Sequence, residues 1–169
     1  MLKIWGRANS INVQKALWCA DEIGLKYERI DIGGAFGKNH EPAYLKLNPN
    51  GLVPTIEDDG FVLWESNTVV RYLAAKHATG SLYPVELTVR ADAERWMDWQ
   101  LTTIQPPMTT IFWGLVRTPP EKRDLKAIEA GRQAAAKAWT ILDAVLARRP
   151  FVAGTNFSIG DIPVGALCY

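Results

Sequence analysis

The chain has 169 residues, 48% of them hydrophobic and 22% charged, with a formal net charge of +1 and a pI near 7.8. That balance suits a globular chain with a sizeable core and excludes a long-range pull toward nucleic acid or anionic lipid. No window approaches the roughly 18 apolar residues of a membrane span, Met1 to Arg7 does not read as a secretory signal, and Cys19 and Cys168 form neither a CxxC motif nor a disulfide framework, which points to a reducing compartment.

The first half alternates strands and helices. Leu2 to Trp5 reads as a short apolar strand. Ser10 then stands at the head of a helix with Val13, Ala16, Leu17, Ala20 and Ile23 at helical spacing, and Gln14, Lys15, Asp21 and Glu22 are expected to face outward. Gly24 ends that helix. Tyr27 to Ile32 alternates like a strand, a glycine-rich loop follows at 33–37, and Glu41 to Leu47 is weakly helical. Leu52 to Glu57 and Phe61 to Leu63 read as strands joined by the hairpin signal Asp59-Gly60. A helix from Ser66 to His77 carries Val69, Val70, Leu73 and Ala74 on one face, and the order of elements predicts a small α/β domain over residues 1–78.

The second half carries no strand signal. Residues 79–86 read as a linker, and 87–169 as an all-helical domain. A long helix from Glu86 is expected to bend or break at Pro106-Pro107. Thr118-Pro119-Pro120 marks a loop before a helix bearing Ile128, Ala135, Ala138, Leu142 and Val145. Ser158-Ile159-Gly160-Asp161 has capping-box spacing with Asp in the place of Glu or Gln, and Phe157 with Ile162 has staple spacing. Ile162 to Tyr169 is apolar and lacks a C-cap, so an uncovered apolar face is expected there.

Three segments hold groups suited to a small ligand. At Ser10-Ile11-Asn12 a strand turns into a helix, where free amides, a hydroxyl and a side-chain amide suit an anion; the plainer reading makes Ser10 an N-cap. In Asn48-Pro49-Asn50-Gly51-Leu52-Val53-Pro54, a turn opens a strand at a proline that cannot donate to a ladder, so the strand is at an edge or the bond is cis. The Val53 backbone then suits a peptide-like ligand added as a short strand; the plainer reading is an ordinary turn. At Glu65-Ser66-Asn67 a helix mouth suits a carboxylate and Glu65 an ammonium group; the plainer reading is an N-cap beside a solvated glutamate. Together the three fit one ligand, a short peptide with an amino-acid end and an anionic sulfur.

The run NPNGLVPTIEDDGFVLWESNTVVRYL, Asn48 to Leu73, resembles the glutathione-binding segment of glutathione transferases. Ser10 to Lys15 resembles the Ser/Thr-Pro-Asn-x-Arg start of the serine-type and related bacterial enzymes, with Ile11 before Asn12 where many relatives have proline, and Phe157 to Asp161 resembles the capping box of their helical domain. The resemblance implies a thioredoxin-like α/β N-terminal domain followed by an all-α helical bundle that stops earlier than in complete members. It implies glutathione as co-substrate, no metal, a small hydrophobic electrophile as second substrate, a cytoplasmic detoxifying enzyme and a homodimer. By matching position, Ser10 would hydrogen-bond the glutathione sulfur with Asn12 assisting, Val53 would pair with the cysteinyl unit, Pro54 would be cis, Glu65 and Ser66 would hold the γ-glutamyl end, and Lys38 or Asn39 would reach the glycyl carboxylate.

Other candidates read as structural. Cys19 lies nine residues along the helix from Ser10, about 14 Å at the helical rise, which is too far for one site and suits a buried core cysteine. Gly33 to Asn39 fails the phosphate-loop pattern, and His40 and His77 lack metal-ligand spacing. Trp96 is expected in the core, and Trp113 and Arg117 where the family's second-substrate pocket opens. Asn12 keeps a glutathione-dependent disulfide reductase open as an alternative, and a binding module without turnover is a third reading.

Overall fold

The structure is a computed structural model that describes residues 1–168. Its chain contacts form two compact units, one made of Met1–Leu87 together with the terminal segment from Ile162, the other of Thr88–Asp161.

The first unit is built on four strands, β1 (Leu2–Trp5), β2 (Tyr27–Ile30), β3 (Thr55–Asp58) and β4 (Phe61–Trp64), in the order β2-β1-β3-β4. β1 and β2 pair in parallel. A parallel pair needs a crossover, and α1 (Ile11–Ile23) supplies it. Gly24 ends α1 at φ 76, its N–H donating to the Asp21 carbonyl at 3.0 Å. β3 pairs antiparallel with both β1 and β4. The β3–β4 hairpin turns at Asp59 and Gly60, both with positive φ, as a tight two-residue turn requires. The predicted strand from Leu52 starts later, at Thr55, because pairing begins at Trp5 opposite Thr55 and Pro54 has no N–H to give. A short helix, α2 (Pro42–Leu45), precedes the hairpin, and α3 (Ser66–His77) follows it with Val69, Val70, Leu73 and Ala74 fully buried. Asp58 at the end of β3 is tied to α3 by the Tyr72 hydroxyl at 2.8 Å and the Lys76 ammonium at 2.6 Å.

The second unit begins with α4 (Leu87–Trp99), where Ala93, Trp96 and Met97 are buried. The expected interruption falls just before the prolines. Gln100–Ile104 forms a wider π turn, and Pro106 and Pro107 stand in the first turn of α5 (Gln105–Phe112), where a missing N–H is harmless. α6 (Leu125–Leu146) lies close against α5, and Gly131 permits this, since a Cβ there would come within 3.3 Å of the Pro107 carbonyl and of Ile111. Asp124 caps α6 through the Ala127 N–H at 2.9 Å.

The capping box ahead of α7 (Asp161–Gly165) is formed: the Asp161 carboxylate accepts from the Ser158 N–H at 2.9 Å and the Ser158 hydroxyl at 3.1 Å, and also from the Val152 N–H at 2.8 Å. Burial pushes the Asp161 carboxyl above its ordinary range against the pull of these bonds. The terminal run is covered where an open apolar face was expected, with Ile162, Val164 and Ala166 buried. Gly165 lies on the Trp18 ring of α1, and the run from Ile162 belongs with the first unit rather than with residues 88–161. Tyr169 lies outside the described residues. No helix among the described residues is long and apolar enough to cross a membrane.

Candidate active site

The loop before β3 is organised by Asn48. Its buried side-chain oxygen accepts from the Asn50 N–H at 3.0 Å, an Asx turn, and its amide donates to the Leu52 carbonyl at 2.9 Å and the Thr55 hydroxyl at 3.2 Å. The Tyr44 hydroxyl on α2 donates to the same Leu52 carbonyl at 2.7 Å. Gly51 bends the chain at φ 63, and its carbonyl accepts from the Asn39 amide at 2.7 Å. Val53 therefore emerges half-buried, packed beside Gly6 and Gly33, where added Cβ atoms would lie 3.3 and 3.4 Å from its side chain. Its N–H and C=O have no hydrogen-bond partner among the described residues. The Val53–Pro54 peptide is cis, which decides between the two readings of that proline: β3 is an interior strand, and the free backbone is in the loop two residues ahead of it.

Two helix mouths face this loop. At the first, Ser10 is buried with φ −94 and ψ 122, and its carbonyl accepts from the Gln14 N–H at 2.9 Å. It occupies the N-cap position, yet its hydroxyl makes no cap bond, so simple capping does not account for it. The N–H groups of Ile11 and Asn12 have no partner among the described residues. At the second mouth, Glu65 precedes α3 with φ 74 and ψ 107, a left-handed backbone that costs a glutamate about 1–3 kcal/mol. Ser66, buried beside it, donates its hydroxyl to the Asn12 side-chain oxygen at 3.4 Å, so the two mouths touch.

Asn12, Val53, Pro54, Glu65 and Ser66 line one small cleft of about 60 Å³, completed by Asn48, Asn50 and Leu52. Five of the seven expected site residues are thus brought together. Ser10 is not in the lining and stands two residues before Asn12 at the head of α1. Asn39 is also outside it, its amide engaged by Gly51 and by the His40 ring at 3.1 Å, and the neighbouring Lys38 is exposed with φ 65. A larger apolar hollow of about 420 Å³ runs along Leu17 and Trp18 of α1, but it gathers no comparable set of donors. In the second unit Trp96 is buried, whereas Trp113 and Arg117 are exposed, the guanidinium lying 5.4 Å from the Phe112 ring centre.

Lys15 departs from expectation. It is fully buried, because α1 packs against α3 as well as the sheet and Lys15 lies within about 40° of Cys19 around the helix. Both face α3: the Cys19 thiol is 3.7 Å from the Val70 carbonyl, and the Lys15 ammonium is 3.4 Å from the Asn67 side-chain oxygen. Burial pushes the Lys15 ammonium down to about 8 while Glu65 opposes the shift. Burial, with Glu22 adding to it, pushes the Cys19 thiol up to about 12, so Cys19 is an inert core thiol.

A family described as "Glutathione S-transferase, N-terminal domain" matches residues 1–75. The chain belongs to the glutathione S-transferase family of enzymes. It is 44% identical to glutathione S-transferase GstB of Escherichia coli strain K12, with all of this chain and 82% of that protein covered, and 29% identical to glutathione S-transferase F9 of Arabidopsis thaliana over 96% of this chain and 77% of the relative. Among solved structures it is similar to the theta class enzyme of Xanthomonas axonopodis pv. citri with glutathione bound, with a TM-score of 0.92 and 51% identity over 97% of this chain and 79% of that one. A glutathione S-transferase of Pseudomonas fluorescens follows the same fold with a TM-score of 0.88 and 29% identity, over 99% of this chain and 82% of that one.

Proposed function

We propose that this protein binds glutathione in the cleft between the two helix mouths and activates its thiol for attack on a hydrophobic electrophile. The observation that carries the reading is the unpartnered Val53 backbone beside Asn12, Glu65 and Ser66. The cysteinyl unit pairs with Val53 as a one-residue strand. The γ-glutamyl carboxylate takes the Ser66 hydroxyl and the Ser66 N–H at the mouth of α3, and Glu65 takes the γ-glutamyl ammonium. The sulfur then lies toward the mouth of α1. A free thiol titrates near ~8.5 and is mostly protonated at neutral pH. Hydrogen bonding from the Ser10 hydroxyl and the uncapped amides of α1 stabilises the thiolate, by about 1.4 kcal/mol for each unit of lowering. The thiolate adds to an electrophilic carbon of the second substrate and a leaving group such as halide departs with the electron pair.

A disulfide reductase is the second reading, favoured by one observation: Asn12 lines the cleft and Ser10 does not. Retention on immobilised glutathione, followed by turnover tests with an aromatic halide and with a mixed disulfide, separates the readings. Retention with halide turnover supports conjugation, retention with disulfide turnover alone supports reduction, retention with neither supports a binding module, and absence of retention defeats all three. A cytoplasmic, detoxifying homodimer completes the proposal, supported by membership of the family alone. Asn39 is kept as a contact for the glycyl carboxylate only if its amide leaves the Gly51 carbonyl when glutathione binds.

A further inference from the structure

Lysine is almost never fully buried unless paired, and Lys15, fully buried in the first unit, is held by polar partners. It stands three residues beyond Asn12 on α1, and its ammonium meets Asn67, the residue after Ser66. Two polar links therefore join the first two turns of α1 to the first turn of α3. Asn12 with Ser66 lies at the cleft, and Lys15 with Asn67 lies on the next turn of α1, away from it. The residues they fix, Glu65 to Asn67, form the turn whose first member holds a left-handed backbone. Glu65 acts on the Lys15 ammonium through its charge. Packing alone does not call for a charge here, since a methionine fills similar space without desolvating an ammonium.

We propose that Lys15 is a positioning residue for the amino-acid end of glutathione, holding the Glu65–Ser66–Asn67 turn against α1 and setting positive charge behind the point where the ligand's α-carboxylate meets Ser66. The inference rests on the glutathione reading above. An ammonium shielded from water acts on a nearby carboxylate with little screening by salt, so its effect falls on glutathione affinity rather than on the chemical step. Its loss relieves a desolvated charge but also leaves the Asn67 side-chain oxygen without that donor, so the two effects on stability oppose one another.

The test compares Lys15→Met, Lys15→Arg and Asn67→Asp with the wild type, reading retention on immobilised glutathione, KM for glutathione, kcat at saturating glutathione, and Tm. Lys15→Met is expected to raise KM roughly tenfold and to lower kcat much less, in a protein that its melting curve shows to be folded at the assay temperature. Lys15→Arg keeps the charge and returns KM to within about threefold of wild type. Asn67→Asp keeps the shape, neutralises the ammonium and raises KM. Unchanged KM in folded Lys15→Met, or equal losses in the Met and Arg variants, overturns the proposal. If Lys15→Met fails to fold, unchanged KM in Asn67→Asp overturns it instead. A wild-type protein that ignores glutathione overturns both the functional reading and this inference, whereas retained wild type with an indifferent Lys15→Met overturns this inference alone.

Discussion

Helix ends in this molecule are of two kinds. Ahead of α6 and α7, side chains satisfy the helix's own donors: Asp124 bonds the Ala127 N–H, and Asp161 reaches back to Ser158. At α1 and α3, Ser10 and Glu65 occupy the same position, and their side chains bond no donor of the helix that follows. Residue type does not separate Ser10 from Asp124, since serine and aspartate are both favoured caps. What separates them is where the hydroxyl or carboxylate goes. A capped end closes its account with its own side chain, while an uncapped one leaves amides for water or an anion. The mouth of α2, behind Glu41, carries no side-chain cap either, but it is the uncapped mouths of α1 and α3 that bring residues into the cleft, so the comparison ties the filled caps to holding the fold and these two open mouths to holding a ligand.

The sharpest way to break this comparison is Ser10→Ala. With no cap bond to lose, stability should change by less than about 0.5 kcal/mol, the low end of capping losses. Conjugation should fall about 10²–10³-fold in kcat/KM, as when one donor to a developing anion is removed, and the thiol of bound glutathione should titrate higher. Steady-state kinetics, thiolate absorbance against pH and a melting curve read all three. A variant that melts early and conjugates normally makes Ser10 an ordinary cap after all.

A second effect of similar size comes from the lysine between the mouths. The Lys15 ammonium titrates near 8 in the fold against 10.5 in the open chain. The unfolded chain binds more protons between those values, so stability must rise with pH there. Below pH 8 both states are protonated and the full cost of the buried charge is present. From pH 8 to 10.5 it is relieved, by about 3 kcal/mol at most. Lys15→Met should lack that rise. Urea midpoints of the two proteins across this range test it, and parallel curves would mean that the ammonium is not desolvated.

Much of the frame was legible because it is written in local signals. Asp59-Gly60 dictates the hairpin, Gly24 ends α1, and the spacing of Val69, Val70, Leu73 and Ala74 gives α3 its bounds. Five of the cleft residues were legible as motif members, and the Asx turn of Asn48 can be read in Asn-Pro-Asn-Gly. Lys15 was not, because a charge beside a helix's apolar stripe looks solvated until a second helix covers that flank. Nor was the fate of Asn39, whose amide goes to Gly51, a partner twelve residues on that only the folded loop supplies. The left-handed backbone at Glu65 has no sequence mark at all, since glycine or asparagine is the residue such a φ ordinarily calls for.

That last mismatch gives a smaller test. Glu65→Gly relieves the backbone and should stabilise the fold by up to about 1 kcal/mol, while removing the carboxylate should abolish retention on glutathione. Stabilisation with retention intact would detach Glu65 from the ligand. The counterpart among the capped ends is Asp124→Ala. It removes a bond that the helix uses, so stability should fall by about 1 kcal/mol, lowering Tm by roughly 2–4 °C for a chain of this size. Asp124→Asn should recover most of the loss. Glutathione affinity should not change in either, because the cap closes donors that no ligand needs. If Asp124→Ala instead weakened glutathione binding at unchanged Tm, a filled cap would be no guide to a structural end, and the division between the two kinds of helix mouth would fail.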